Sequence, residues 1–167
     1  MGILLPTLSI EMSNYPIYHL TWDGPIVPKA RPRVFEGEAR MPEHYKDMKD
    51  EALQSFSIQW SIELGNKAPI PWRVRPYVFL WGKHRRSGDV VDNVPGTLYD
   101  ALVQAGVLKA DSAMWCPGSV HDLVHSNASP RTDILLAPWM PFSQSLEQIK
   151  EIMEWLRINK LINGEAR

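Results

Sequence analysis

The sequence predicts an α+β protein with a small mixed β-sheet and helices packed on it. Segments with alternating side chains, typical of strands, are separated by segments with apolar residues at helical spacing, in the order β-α-β-α-β-β-α. A length of 167 residues suits one domain. Hydrophobic residues at 44% and charged residues at 22% are typical of a soluble globular protein.

The first half of the chain is predicted to contain two strands and one helix. The first strand is IYHLTW at 17–22, and a loop at 23–33 follows, in which a glycine and three prolines keep the chain extended. A helix is expected at 41–64, where apolar residues recur every three or four positions. The second strand is VRPYVFLW at 74–81, and Pro76 favours an edge position for this strand or for its first half, because proline cannot donate to a strand ladder.

The second half is predicted to begin with a short helix. Pro95 suits its first position and Gly106 its C-terminal stop. Two strands then follow at 119–125 and 131–138, joined by the polar turn SNASP. These two strands bring the predicted sheet to four strands.

An amphipathic helix is expected at about 145–162. Ser145 and Gln148 fit a capping box at its start, and Asn163-Gly164 ends it. The chain has no internal repeat and no evident linker, so residues 1–167 are predicted to form a single domain.

The cysteine usage and the N-terminus indicate a cytoplasmic protein. Cys116 is the one cysteine, so it cannot form an internal disulfide, which fits a reducing compartment. The N-terminal stretch lacks the basic flank and the length of a signal peptide. No apolar run approaches membrane-spanning length, and no membrane partner is expected.

Basic residues are concentrated in two stretches, although the net charge is only −1. Such local clusters matter more for phosphate binding than the total charge does. The alternative is a solvated strand end and a loop with surface charges. The residues predicted to contact a DNA backbone are Lys29, Arg31 and Arg33 in the first loop, and Lys83, Arg85 and Arg86 after the second strand.

Three acids surround the short helix in GDVVDNVPGTLYDALVQAGVLKAD, residues 88–111. Asp89 and Asp92 precede it and Asp111 follows it. A helix of about twelve residues is about 18 Å long, so the acids meet only if Asp111 heads a strand returning beside strand 74–81. Carboxylates about 4 Å apart repel by roughly 4 kcal/mol, and a cation such as Mg²⁺ relieves that repulsion. Alternatively, Asp92 or the next residue caps the helix and Asp111 lies on a solvated surface.

The stretches VVDN, YDALVQAG and VLKAD, in this order and spacing, resemble the RusA family of Holliday-junction resolvases. In that family an Asp-x-Asp-Asn motif opens a helix that an acidic pair follows. VPKARPRVFEGEARMPEHYKDMKDEA resembles the family's entry segment and first helix, and SPRTDILLAP its closing strand. The resemblance covers about residues 16–138, and the first dozen residues and the C-terminal helix look like additions.

The resemblance implies a homodimeric, metal-dependent endodeoxyribonuclease that resolves four-way DNA junctions with Mg²⁺ or Mn²⁺, of bacterial or phage origin. Asp92 matches the second acid of the motif and Asp111 the later acid. Val90 stands in place of the first acid, and Asp89 lies one position earlier. On a strand this shift would turn Asp89 to the wrong face unless a bulge restored it. The resemblance therefore implies that Asp89, Asp92 and Asp111 are the catalytic metal ligands.

One departure leaves a rival function open. Gly96 stands where the family has a catalytic lysine, and Lys83, Arg85, Arg86 or Lys109 are candidates to supply the cation instead. A branched-DNA-binding protein of the same fold that has lost cleavage is the main rival. A third possibility is a protein-interaction module that docks a partner through the C-terminal helix.

Histidine and tryptophan residues are predicted to be structural. His121 and His125 alternate on one strand face, and two histidines without a third ligand make a weak zinc site. The tryptophans are expected to pack in the core and at the dimer interface rather than to stack on bases; they are Trp60, Trp72, Trp81, Trp115, Trp139 and Trp155.

Overall fold

The computed structural model describes residues 16–24, 33–35, 38–82, 89–125 and 129–162. These residues form an α+β fold with a four-stranded mixed sheet and a separate two-stranded hairpin. The strands are β1 (Tyr18–Trp22), β2 (Arg33–Phe35), β3 (Glu38–Arg40), β4 (Val74–Gly82), β5 (Val120–His125) and β6 (Arg131–Pro138). The helices are α1 (Glu43–Ile58), which continues as a π-helical turn (Gln59–Glu63), α2 (Asp89–Gln104) and α3 (Leu146–Ile162).

The predicted order of the main elements is confirmed, and the hairpin β2–β3 is an addition that the sequence pattern did not predict. The four-stranded sheet has the order β1-β6-β4-β5. β6 pairs antiparallel with β1 and with β4, whereas β5 pairs parallel with β4. The parallel pair requires a crossover, and α2 provides it.

Each face of the sheet carries its own hydrophobic core, because side chains alternate along a strand. One core is formed with α1 and α2 and includes Phe56, Val78, Leu80, Leu98, Leu102 and Ile134. The other is formed with α3 and includes Tyr77, Phe79, Leu135, Ile152, Trp155 and Leu156. The C-terminal helix is therefore part of the packed fold.

Pro76 lies in the first half of β4, which has an open edge on the β5 side as predicted for that half, although the strand as a whole is not an edge strand. β4 pairs on both sides, and Pro76 lies opposite Leu136 of β6. Val74 donates its N–H to the carbonyl of Trp115, on the β5 side. N–H groups alternate sides along a strand, so the proline nitrogen also faces the β5 side, and β5 pairing begins only at Tyr77. The missing donor therefore costs no ladder hydrogen bond.

α2 begins at Asp89 rather than at Pro95, which corrects the predicted start. Proline is favoured in a first turn because it lacks an N–H, and that preference suggested the wrong boundary. A proline inside a helix removes one hydrogen bond but does not prevent the preceding residues from being helical. Asp92 and Asn93 lie within the helix, so neither occupies its N-cap position.

The predicted C-terminal stop of α2 is confirmed. Gly106 has a φ of 74° and donates its N–H to Val103, while Val107 donates to Leu102. These two hydrogen bonds form a Schellman motif, which requires a left-handed residue at the glycine position.

At the start of α3, Gln148 contacts the sheet through its side chain. Its side-chain amide donates to the carbonyl of Pro138 at 3.0 Å, and its oxygen accepts from the hydroxyl of Tyr77 at 3.1 Å. Gln148 therefore ties the helix to the sheet. The predicted end at Asn163-Gly164 lies outside the described residues.

Within the described part of the chain, no helix combines the length and the apolar character that crossing a membrane requires.

Candidate functional site

The carboxyl end of β4 leads to two of the three predicted acids. β4 ends at Gly82, residues 83–88 lie outside the description, and α2 begins at Asp89. Asp89 and Asp92 are thus in the first turn of a helix, three positions apart. Residues at this spacing share a helix face, so the one-residue displacement of the first acid needs no strand bulge. A helix N-terminus also favours negative charge.

Asp111 lies beyond the C-terminal end of α2, whereas the first turn lies at the N-terminal end of this helix. Val107 accepts a hydrogen bond from Ile70, and Trp115 accepts one from Val74 at the start of β4. These contacts hold the segment after α2 at the amino end of β4. Asp111 is exposed there, and it heads no strand, since β5 begins only at Val120.

The first turn and Asp111 are separated by the length of α2. The helix has 16 residues, which corresponds to about 24 Å. The three acids were expected to meet only if Asp111 headed a strand beside β4, and it does not. Asp89 and Asp92 stay together as a candidate pair, and Asp111 stands apart from them.

A pair of carboxylates in this position fits Mg²⁺ or Mn²⁺ by its chemistry. Mg²⁺ prefers oxygen ligands and is commonly bound by one or two carboxylates, with water and substrate phosphates completing the shell. The backbone of Asp89 and Asp92 is described but their side chains are not. Among the described side chains, no group of three or more histidines, cysteines or acids could hold a metal ion.

Most of the predicted DNA-contacting residues cannot be placed. Arg33 is in β2, where its backbone alone is described. The others, Lys29, Arg31, Lys83, Arg85 and Arg86, lie outside the described residues and stay predictions.

A buried polar network lies on the α3 face of the sheet, and sequence reasoning missed it. Asp133 is only 2% exposed. One of its carboxylate oxygens is 2.9 Å from Nε2 of His19 and accepts from the hydroxyl of Thr21 at 3.4 Å. The other accepts from Nε and Nη2 of Arg131 at 3.1 and 2.8 Å. A buried carboxylate is stable only with such partners.

This network reaches the end of the sheet from which α2 departs. The guanidinium of Arg131 lies 5.0 Å from the centre of the Trp81 ring, and these two residues pair between β6 and β4. Gly82 follows Trp81 with a φ of 141°, and a Cβ there would lie 3.6 Å from Pro130. Asp133 therefore fixes a cation beside the last residues of β4. The detectable signal was one acid within the apolar strand RTDILLAP.

His121 makes a contact that fits its predicted structural role, and the thiol of Cys116 is unreactive. Nε2 of His121 is 2.8 Å from the hydroxyl of Tyr99, and burial raises the pKa of that hydroxyl. Burial, together with the carboxylate of Asp111, raises the pKa of the Cys116 thiol to about 11. The thiol is therefore protonated at neutral pH and is a poor nucleophile.

No protein-family model matches the chain, and no curated protein matches it. The likeness to the RusA family therefore consists of the motifs VVDN, YDALVQAG and VLKAD and of the flanking segments that resemble the same family.

Proposed function

We propose that the protein is a metal-dependent endodeoxyribonuclease that cuts four-way DNA junctions, as the RusA resemblance implies. The observation that carries the proposal is the position of Asp89 and Asp92 in the first turn of α2. The turn follows the central strand and a segment rich in basic residues. It thus joins two carboxylates, a helix N-terminus and nearby cations, which together suit a metal ion and a phosphodiester.

Each part of this site has a distinct role in the proposal. Asp89 and Asp92 hold the metal, and Lys83, Arg85 and Arg86 bind the DNA backbone beside it. Mg²⁺ or Mn²⁺ supplies a Lewis acid and lowers the pKa of a bound water. Arg131 lies at the same end of the sheet, where the carboxylate of Asp133 balances its charge. A two-fold dimer would present two such sites to opposed strands, which accounts for paired cuts.

The experiment that tests the proposal is cleavage of a labelled mobile four-way junction with Mg²⁺, with Mn²⁺ and with chelator. The wild type is expected to make paired, metal-dependent nicks, and Asp92→Asn to make none. Asp47→Asn is the matched control, because Asp47 is exposed on α1. Tight binding of the wild type without nicks in either metal would refute the catalytic proposal.

Asp111 can join the proposed site only from a second copy of the chain, because α2 separates it from the first turn in its own chain. The test is to mix Asp92→Asn with Asp111→Asn, each inactive alone. In a heterodimer one site would then keep both acids, and about a quarter of the wild-type sites would be restored. A mixture that stays inactive would show that Asp111 does not act on the partner.

The rival function is binding of branched DNA without cleavage, and Gly96 favours it. A lysine there would lie one helical turn from Asp92 on the same face, but glycine provides no charge. This function predicts that the junction is bound with equal affinity in metal and in chelator. The cleavage assay therefore separates the two functions directly.

A partner-docking role for the C-terminal helix needs a test that leaves the helix in place. Deleting residues 145–167 would remove Trp155 and Leu156 from the core and unfold the protein. The exposed side of α3 offers Met153 and Ile158 instead, at 53% and 43% exposure. Replacing both with glutamine would abolish a docking function but should leave junction cleavage unchanged.

A further inference from the structure

Two basic side chains pack over indole rings near the amino end of β4. The guanidinium carbon of Arg73 lies 4.4 Å from the ring centre of Trp139, and Nζ of Lys109 lies 4.2 Å from that of Trp115. These four residues are named the cation–aromatic surface. Such ring contacts restrict the motion of long basic side chains and hold their charges in place.

Backbone contacts join the two pairs into one surface. Trp139 donates its N–H to the carbonyl of Arg73 at 2.8 Å, and the next residue, Val74, donates to the carbonyl of Trp115 at 2.8 Å. The two tryptophans thus flank the start of β4, one on the β6 side and the other on the β5 side. Nε of Arg73 also donates to the carbonyl of Met114 at 3.0 Å, which fixes the guanidinium a second time.

The surface is accessible to a partner. Arg73 and Lys109 are exposed, and Trp115 and Trp139 are partly exposed. Met114 beside them is 71% exposed. Trp60, Trp81 and Trp155 are buried, whereas Trp115 and Trp139, which were predicted to pack in the core or at a dimer interface, keep part of their surface exposed.

We infer that the cation–aromatic surface is a second contact site for a DNA phosphate backbone. Fixed cations bind phosphates with less loss of side-chain freedom than mobile ones do, and partly exposed rings beside them can pack on sugars or on an unstacked base. The inference rests on the proposed function for the identity of the ligand. It adds a site that lies apart from the first turn of α2.

The distance between the two sites suits one arm of a branched substrate. They lie at opposite ends of α2, whose 16 residues span about 24 Å. Phosphates along one strand of a duplex rise by about 3.4 Å, so this distance corresponds to about seven nucleotides. One arm can therefore be bound by the cation–aromatic surface while its branch point lies near Asp92.

The test is the salt dependence of junction binding, measured by fluorescence anisotropy in chelator so that no cleavage occurs. The double variant Arg73→Gln/Lys109→Gln is compared with Lys150→Gln/Arg157→Gln, which removes the same charge from exposed positions of α3. Two lost phosphate contacts should lower the slope of log affinity against log salt by about 1.8. They should also weaken binding at 0.1 M salt by up to roughly 60-fold.

Each outcome has a distinct meaning. The inference is supported when the first double variant loses slope and affinity, the α3 variant matches the wild type, and Arg73→Lys, which keeps the charge, retains the slope. Equal slopes for the wild type and the first variant would overturn the inference while the cleavage assay could still support the proposed function. A wild type that binds no junction would overturn both the inference and the proposed function. Equal losses in both double variants would also overturn the inference, because they would show that only the net charge of the protein affects binding.

Discussion

The side-chain amide of Gln59 forms two hydrogen bonds with the backbone of Thr21 at the outer edge of the sheet. The oxygen of its side-chain amide accepts from the backbone N–H of Thr21 at 2.8 Å, and its nitrogen donates to the Thr21 carbonyl at 2.7 Å. β1 is an edge strand, and the amide occupies the hydrogen-bonding groups that a further strand would use. The π-helical turn that begins at Gln59 thus has a direct contact with the sheet.

Replacing Gln59 with alanine should destabilise the protein by about 2 kcal/mol, since it removes these bonds and a third to Ser55. It should also increase aggregation, because the strand edge becomes available. Urea unfolding and light scattering would measure the two effects. Gln54→Ala is the matched control, because Gln54 is exposed on the same helix. Equal stability of the two variants would contradict the role of Gln59.

Asp133→Asn should lower the free energy of unfolding by about 2 kcal/mol, because charge-assisted hydrogen bonds to Arg131 and His19 are lost in a buried position. Urea denaturation measures this loss. Glu147→Gln is the control: it also neutralises an acid, but one in an exposed pair with Lys150, and should change stability little. A wild-type midpoint for Asp133→Asn would mean that the network does not stabilise the fold.

Gly96→Lys should increase junction cleavage. The substitution restores the charge that the family resemblance assigns to this position, on the helix face shared with Asp92. We expect about a tenfold higher rate, equivalent to about 1.4 kcal/mol of transition-state stabilisation. Gly96→Gln gives a similar gain in helix propensity without the charge and is the control. Equal rates for the two variants would show that the position does not need a cation.

Alkylation of Cys116 should report the position of Asp111. A thiol pKa of about 11, against an ordinary value of 9.0, makes alkylation at pH 8 roughly a hundredfold slower than for a free thiol. Asp111→Asn removes the second cause of this shift and should speed alkylation, whereas Asp92→Asn should not. Iodoacetamide labelling followed by mass spectrometry gives the rates. Identical rates in both variants would place Asp111 away from the thiol.

The raised pKa of Cys116 also makes the stability of the fold depend on pH. Because the pKa of Cys116 is higher in the folded chain than in the unfolded chain, the protonated thiol favours folding below pH 9. This contribution is lost as the pH rises from about 9 to about 11. Alkaline unfolding of Cys116→Ser should lack this component.

Local patterns were sufficient for the types and most boundaries of the main elements, but not for the hairpin β2–β3. Side-chain alternation identified β1 and β6, and Gly106 marked the end of α2 because a left-handed residue is needed there. Pro76 marked the half of β4 that has an open edge on the β5 side, whereas Pro95 gave a wrong start for α2. The preference of proline for a first turn is statistical, and a proline can also lie inside a helix at the cost of one hydrogen bond.

The candidate site depended on contacts between distant segments. The motifs identified Asp89 and Asp92 as a pair, and helical geometry alone places residues three positions apart on one face. The separation of Asp111 follows from the hydrogen bonds of Val107 and Trp115 with the start of β4. The burial of Asp133 beside His19 likewise arises from pairing between β1 and β6, strands more than a hundred residues apart. Periodicity carries information about neighbours along the chain, whereas these contacts arise only when the strands pair and the helices pack on them.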